Sequence, residues 1–296
     1  MFYSLRPTHI TVDDISYLYP RDIQVHVLRL DKFDPVISGN KWFKLRFYLQ
    51  NAVQQQKKGL ITFGGAWSNH IVATAAACQQ QGLQSIGIIR GEEPAQWSQA
   101  LQDAKQAGMQ LHFISRDDYS AKHVPGFAEH LKNEYLLVPE GGYGPDGARG
   151  ASTILDIPEQ AFTHYVCAAG TGTMTAGLIN AASPDSEVIG ISVLKNNHSL
   201  EPMISDLLQA SHARWRVLHD HHFGGYAKHK PALLGFMNSF YERAQIPTDL
   251  VYTGKLFYAA AELINQAFFP AGSRILIIHS GGLQGNRSLP KGTLNF

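Results

Sequence analysis

Short apolar runs rich in β-branched residues alternate with helix-like segments along most of this chain, and that rhythm restricts it to α/β architectures. The runs are Leu60–Phe63, Ser85–Arg90, Gln110–Ser115, Tyr135–Pro139, His164–Ala168, Val188–Val193 and Arg274–His279. Parallel strands need a long crossover between them, and the intervening segments have the length to supply it, so largely parallel sheets are expected. Two of those segments read clearly as helices. Trp42, Leu45, Leu49, Ala52 and Val53 recur at near-helical spacing across Lys41–Lys58, and Asn69–Gln81 is rich in alanine. Gly59 and Gly82 are the expected stops of these helices.

The segment PEGGYGPDGARG, Pro139–Gly150, is the densest cluster of breakers. It reads either as an ordinary surface loop or as the boundary between two halves. A boundary there implies a cleft, and ligands of open α/β sheets sit beyond the carboxyl ends of the strands. Composition narrows what such a cleft would hold. With 296 residues and a formal net charge of +1, the chain offers no basic field for nucleic acid and no acidic field for cations, so a small-molecule partner is expected. The two cysteines, Cys78 and Cys167, sit in apolar surroundings and form no ligand-like pair, which points to a reducing compartment, the cytoplasm. The start MFYSLRPTHI lacks a signal pattern, and no apolar run approaches the roughly 20 residues of a membrane helix. No membrane partner is expected.

Three segments carry chemistry. SGNKWFKL, Ser38–Leu45, puts Lys41 directly after Gly-Asn at a helix start; alone, such a lysine reads as surface charge. ITFGGAWSNH, Ile61–His70, runs from a strand through two glycines into Ser68 and Asn69 at the head of the alanine-rich helix. Glycines there let backbone approach a ligand, and free amides at a helix start favour an anion. Ser68 and Asn69 are thus aimed into a site, or one of them simply caps the helix. VCAAGTGTMTAG, Val166–Gly177, repeats the pattern of strand, glycine turn and helix, a cradle for a phosphate. No lysine follows at the spacing of a nucleotide triphosphate loop, and the dinucleotide fingerprint is absent, which leaves a phosphate monoester. His219, Asp220, His221 and His222 form the most metal-like cluster, but adjacent ligands splay apart, so no metal is expected there.

Taken in order, lysine after Gly-Asn, then GG-x-x-SN, then the Thr-Gly-Thr loop resemble the fold type II pyridoxal phosphate enzymes. The chain is most similar to the 1-aminocyclopropane-1-carboxylate deaminase and D-cysteine desulfhydrase family. FGGYAKHKP around Tyr226, DLVYTGK at Asp249–Lys255 and IIHSGG at Ile277–Gly282 resemble that family's two active-site tyrosine regions and its C-terminal cofactor loop. The resemblance implies a tryptophan-synthase-β-like α/β fold with two domains and open, mostly parallel twisted sheets. A large pyridoxal phosphate-binding domain would comprise residues 1–41 and 149–296, and a small one residues 42–148. It further implies that Lys41 carries the cofactor as a Schiff base, that Asn69 contacts its 3-oxygen, and that the amides of Gly170, Thr171, Gly172 and Thr173 hold its phosphate. Ser68 would face the substrate carboxylate or carry a proton. Tyr226 and Tyr252 are the further acid, base or nucleophile candidates. A homodimer is the expected assembly.

The chain departs from the deaminase pattern in two places. That pattern has glutamate after the second tyrosine and leucine after the histidine of the C-terminal loop; here stand Thr253 and Ser280. A carboxylate beside the pyridine nitrogen keeps it protonated and the ring a strong electron sink, whereas a hydroxyl leaves it closer to neutral. Hydroxyls therefore favour β-elimination from a small amino acid, as in the desulfhydrases, with cyclopropane opening as the alternative. His70 replaces a frequent glutamine and reads either as a substrate-facing group or as a histidine turned to solvent. A metal hydrolase and a non-catalytic cofactor-binding module are the rival classes. Lys41, Ser68, Tyr226 and Tyr252 in their expected contexts argue against lost chemistry.

Overall fold

The computed structural model of the chain describes residues 9–20, 22–34, 36–37, 39–120, 131, 133–210 and 212–296. Ser38, which opens the first motif, and most of the N-terminal decapeptide lie outside them. Two sheets organise the chain. One has six strands in the order β1 (Val12–Asp14), β2 (Gln24–Arg29), β10 (Arg274–His279), β7 (His164–Ala169), β8 (Glu187–Ser192), β9 (Arg214–Leu218). The other has four, in the order β5 (Gln110–Ile114), β4 (Gln84–Arg90), β3 (Gly59–Gly64), β6 (Tyr135–Val138). Every pairing is parallel except that of β1 with β2. Central strands β3 and β8 are buried at every position, as expected of parallel strands covered on both faces.

The seven apolar runs are all strands. Three further strands escape that reading, β1, β2 and β9. β9, RWRVL, is an edge strand whose arginines mask its apolar alternation, and charge on an edge discourages pairing with another chain.

Both expected helices form, α1 (Asn40–Gln54) and α2 (Asn69–Gln80), but their ends differ. Gly82 closes α2 as anticipated, with φ +68° and the paired bonds Leu83 N–H to Cys78 O and Gly82 N–H to Gln79 O of a Schellman ending. Gly59 does not stop α1. Gln56 takes the left-handed position at φ +53°, and Gly59 instead opens β3, where a Cβ would fall 1.8 Å from the Gln84 carbonyl oxygen. The breaker cluster Pro139–Gly150 is also only partly a loop. A helix, Pro145–Ser152, starts inside it with proline in its first turn and packs against both α1 and the helix Thr173–Ala181. Its glycines permit that closeness: a Cβ on Gly150 would sit 1.8 Å from the Phe43 carbonyl oxygen.

Parallel pairing aligns the strand ends. β10 lies between β2 and β7, with Ile277 level with Val27 on one side and Val166 on the other. The turns after β10 and β7, Ser280–Gly282 and Gly170–Gly172, therefore emerge side by side. Among the described residues no helix is long and apolar enough to cross a membrane.

Candidate active site

A cavity of about 380 Å³ opens at these strand ends. Of the residues singled out in the sequence, Lys41, Ser68, Asn69, His70, Gly170, Thr171, Gly172, Tyr226, Tyr252 and Ser280 line it. Thr173 and Thr253 do not. They are fully buried behind the wall, Thr173 as the first residue of the helix Thr173–Ala181.

Lys41 is set by the start of α1. Gly39, its N-cap at φ +64°, lies so close to the β10 turn that a Cβ would meet the Ser280 carbonyl oxygen at 1.9 Å. That same carbonyl accepts the Asn40 amide proton at 3.1 Å. The Lys41 ammonium donates to Asn40 Oδ1 at 3.3 Å and lies 6.0 Å from the centre of the Tyr252 ring. Burial brings its pKa down to about 8, with Asp249 opposing the shift.

Ser68 does cap α2, its Oγ accepting from the Ile71 amide at 3.4 Å, and it lines the cavity as well; the two readings of this residue are compatible. His70 is not turned to solvent. It is buried, with Nε2 2.8 Å from Thr62 Oγ1. Since the Thr62 hydroxyl donates its one proton to the Val138 carbonyl, His70 must donate from Nε2, leaving Nδ1 an acceptor. Desolvation, then Lys41 and Lys44, hold His70 well below the usual histidine range.

Lys44 was not picked out in the sequence, although it lies three residues after Lys41 and so shares its helix face. Its Nζ donates to the Gly141 carbonyl at 3.3 Å, and burial, reinforced by Lys41, pushes it well below the ordinary lysine value. Three basic groups thus meet at one end of the cavity, each driven towards its neutral form. An anion bound there would reverse the shifts of the two lysines.

The opposite wall carries the tyrosines, whose rings meet edge to face with centres 6.3 Å apart. Tyr252 packs against Gly170, where a Cβ would lie 3.3 Å from its Cε1. Desolvation in the cleft raises both phenols, with Asp249 next for Tyr226, and Tyr226 and then Asp249 next for Tyr252. Both remain protonated at neutral pH, which suits them to donate protons rather than to attack. Thr253 turns away: its hydroxyl donates to Asp249 Oδ1 at 2.9 Å and accepts the Asp249 amide at 2.7 Å. The histidines of the 219–222 cluster diverge, His219 to Glu201 and His221 to Glu262, and among the described residues no group of three His, Cys, Asp or Glu side chains is placed to hold a metal.

A family model described as pyridoxal-phosphate dependent enzyme matches residues 15–281. The chain belongs to this family. A Pyrococcus horikoshii protein whose name proposes a 1-aminocyclopropane-1-carboxylate deaminase is 30% identical over 88% of this chain and 85% of its own. The mitochondrial bifunctional D-cysteine desulfhydrase/1-aminocyclopropane-1-carboxylate deaminase of Arabidopsis thaliana is 28% identical over 90% of this chain and 74% of its own. A crystal structure of an ACC deaminase homologue superposes with a TM-score of 0.81 at 27% identity, covering 96% of this chain and 92% of the other.

The cavity suits this family's cofactor. The helix start at Gly172, with φ +75°, offers amides to a phosphate. Lys44 offers a cation to the same anion, and Lys41 an amine that loses its proton near neutrality. The apo-protein should therefore capture added pyridoxal phosphate faster as the pH rises from about 7 to about 9, because only the neutral amine attacks the aldehyde. The midpoint should fall near 8. Stopped-flow absorbance would follow it, and a flat profile would contradict the assignment.

Proposed function

We propose that this enzyme eliminates the β-substituent of a small amino acid, converting D-cysteine and water to pyruvate, ammonia and sulfide. The observation that carries this reading is the wall around Tyr252 and Ser280. Ser280, a hydroxyl residue, lines the cavity, and position 253 sends in no carboxylate, its threonine being engaged by Asp249. The nearest carboxylate on that side, Asp249, is held by the Thr253 hydroxyl and the amides of Val251, Tyr252 and Thr253. A ring nitrogen there would not be paired directly with a free carboxylate, which favours departure of a good leaving group over opening of a cyclopropane.

Bound pyridoxal phosphate supplies an electron sink at the substrate's α-carbon. The protein supplies the rest. The amides of Gly170, Thr171, Gly172 and Thr173, with Lys44, would hold the phosphate, and Asn69 would meet the ring's 3-oxygen. Ser68 and the first amides of α2 hold the substrate carboxylate, with His70 behind them. Lys41 would take the α-proton, and Tyr226 and Tyr252 would carry protons near the departing group.

We also place residues 1–41 and 149–296 in a large domain and 42–148 in a small one, a division supported by the confinement of the four-stranded sheet to the second segment. A homodimer accords with the usual symmetry of soluble enzymes, and the free, buried Cys78 and Cys167 accord with a cytoplasmic setting.

The test is an assay of holoenzyme on D-cysteine, L-cysteine and 1-aminocyclopropane-1-carboxylate. Sulfide and pyruvate in equal amounts from D-cysteine are expected. Keto acid from the cyclopropane substrate alone would transfer the enzyme to the deaminase reading, which the name of the Pyrococcus relative favours. Tight cofactor binding with no keto acid from any substrate would point to a binding module.

A further inference from the structure

The loop that carries Tyr226 needs outside support. Phe223, Gly224, Gly225 and Ala227 all have positive φ, from 52° to 117°, and two of them are not glycine, so the backbone there is strained. Phe223 packs edge-on against Tyr258 with ring centres 4.9 Å apart, and the Gly224 amide donates to His222 Nδ1 at 2.8 Å. The strongest tie comes from elsewhere. Lys255, in the first turn of the helix Thr253–Asn265, donates from Nζ to the Gly225 carbonyl at 2.7 Å and to the Val193 carbonyl, just beyond β8, at 3.4 Å.

Lys255 is completely buried. Burial lowers its pKa to about 8, against the pull of Asp249, so the protein carries a desolvated amine where an apolar side chain would pack at less cost. Its hydrogen bond goes to the carbonyl immediately before Tyr226. It also stands three residues after Tyr252, on the same helical turn. We propose that Lys255 is a positioning residue that ties the Tyr226 loop to the turn bearing Tyr252, and so fixes the distance between the two tyrosines at the cavity wall. The inference rests on the reading of those tyrosines as substrate-facing proton carriers.

Lys255→Met keeps the length of the side chain and removes the donor. Lys228, exposed two residues after Tyr226, gives a direct readout, since trypsin cuts after it faster when the loop is freer to enter the protease cleft. The holoenzyme variant should retain its visible absorbance and its melting behaviour, and be cut after Lys228 several-fold faster. Its kcat should fall by about 10²-fold, as for a displaced catalytic group, with KM little changed. Adding Tyr226→Phe to Lys255→Met should cost much less than Tyr226→Phe costs alone, a coupling that general loss of packing would not produce. Cleavage at the wild-type rate would overturn the proposal. If Tyr226→Phe alone left turnover intact, the role of the tyrosine would fall, while the cleavage rate would still decide that of Lys255. Should Lys255→Met fail to fold, Lys255→Leu, which also lacks the donor, serves in its place: faster cleavage than wild type supports the tie, and an unchanged rate rejects it.

Discussion

Replacing Lys41 by alanine should lower turnover by about 10³-fold or more, the scale of losing the group that moves the α-proton, and should abolish trapping of the cofactor by borohydride. Peptide mapping of the reduced wild-type protein should place the pyridoxyl label on Lys41. The cavity holds a second candidate amine, which makes the outcome informative. Lys44 lies on the same face of α1, yet its Nζ is turned to the Gly141 carbonyl, beside Thr171 of the Gly170–Gly172 turn, whose Cγ2 lies 2.8 Å from the Cβ position of Gly141. In the proposed arrangement it would serve the phosphate end of the cofactor rather than its aldehyde. Lys41→Ala should therefore bind pyridoxal phosphate without covalent capture. A label that reappeared on Lys44 with activity preserved would move the assignment to Lys44.

Gly39→Ala should be nearly as damaging although it touches no ligand. Its Cβ would lie 1.9 Å from the Ser280 carbonyl oxygen and 2.8 Å from the Gly281 amide nitrogen. Neither can retreat easily, because the Ser280 carbonyl also receives the Asn40 amide. Residue 39 must in addition hold φ +64°. We expect a loss of about 2–4 kcal/mol in stability, the range of severe steric substitutions, together with weakened cofactor retention as Lys41 shifts with its helix. Gly82→Ala is the matched control. It has a similar φ of +68° but open space around the added methyl, so it should cost only the left-handed strain, about 1–2 kcal/mol, and leave the cofactor in place. Equal melting losses in the two variants would show that backbone strain, not the contact with the β10 turn, governs Gly39.

Much of the fold could be read before any coordinates because its signals are local. Seven apolar runs became strands, and five of these, β3, β4, β7, β8 and β10, are central, where a parallel strand is a short apolar run wherever it occurs. The glycine turns at Gly64–Gly65 and Gly170–Gly172 stand at the ends of two of them. The strands that escaped, β1, β2 and β9, are the marginal pair β1 and β2 and the opposite edge of the six-stranded sheet, where polar residues interrupt the apolar pattern. The misplaced end of α1 has a different cause. Gln56 accepts the left-handed position that glycine usually takes, a choice made possible by the Schellman bonds that close the helix.

Within the site, the sequence by itself determined which residue types stand at the helix starts and strand ends, and hence where an anion, an amine and a small amino acid could be received. Lys41, Ser68, Asn69 and the Gly170–Thr173 turn are legible because each belongs to a short motif whose backbone geometry is set by its own glycines. Only the tertiary structure decided how the remaining groups are used. It placed Lys44 beside Gly141, nearly a hundred residues away, and buried His70 against Thr62. It turned Thr253 from the cavity to Asp249, and joined Lys255 to the loop that holds Tyr226. The contacts of Lys44 and Lys255 join distant segments, whereas those of His70 and Thr253 lie within single motifs. Which way each side chain turns and how far it is desolvated is set by the packing around it, and a local window of sequence does not contain that packing.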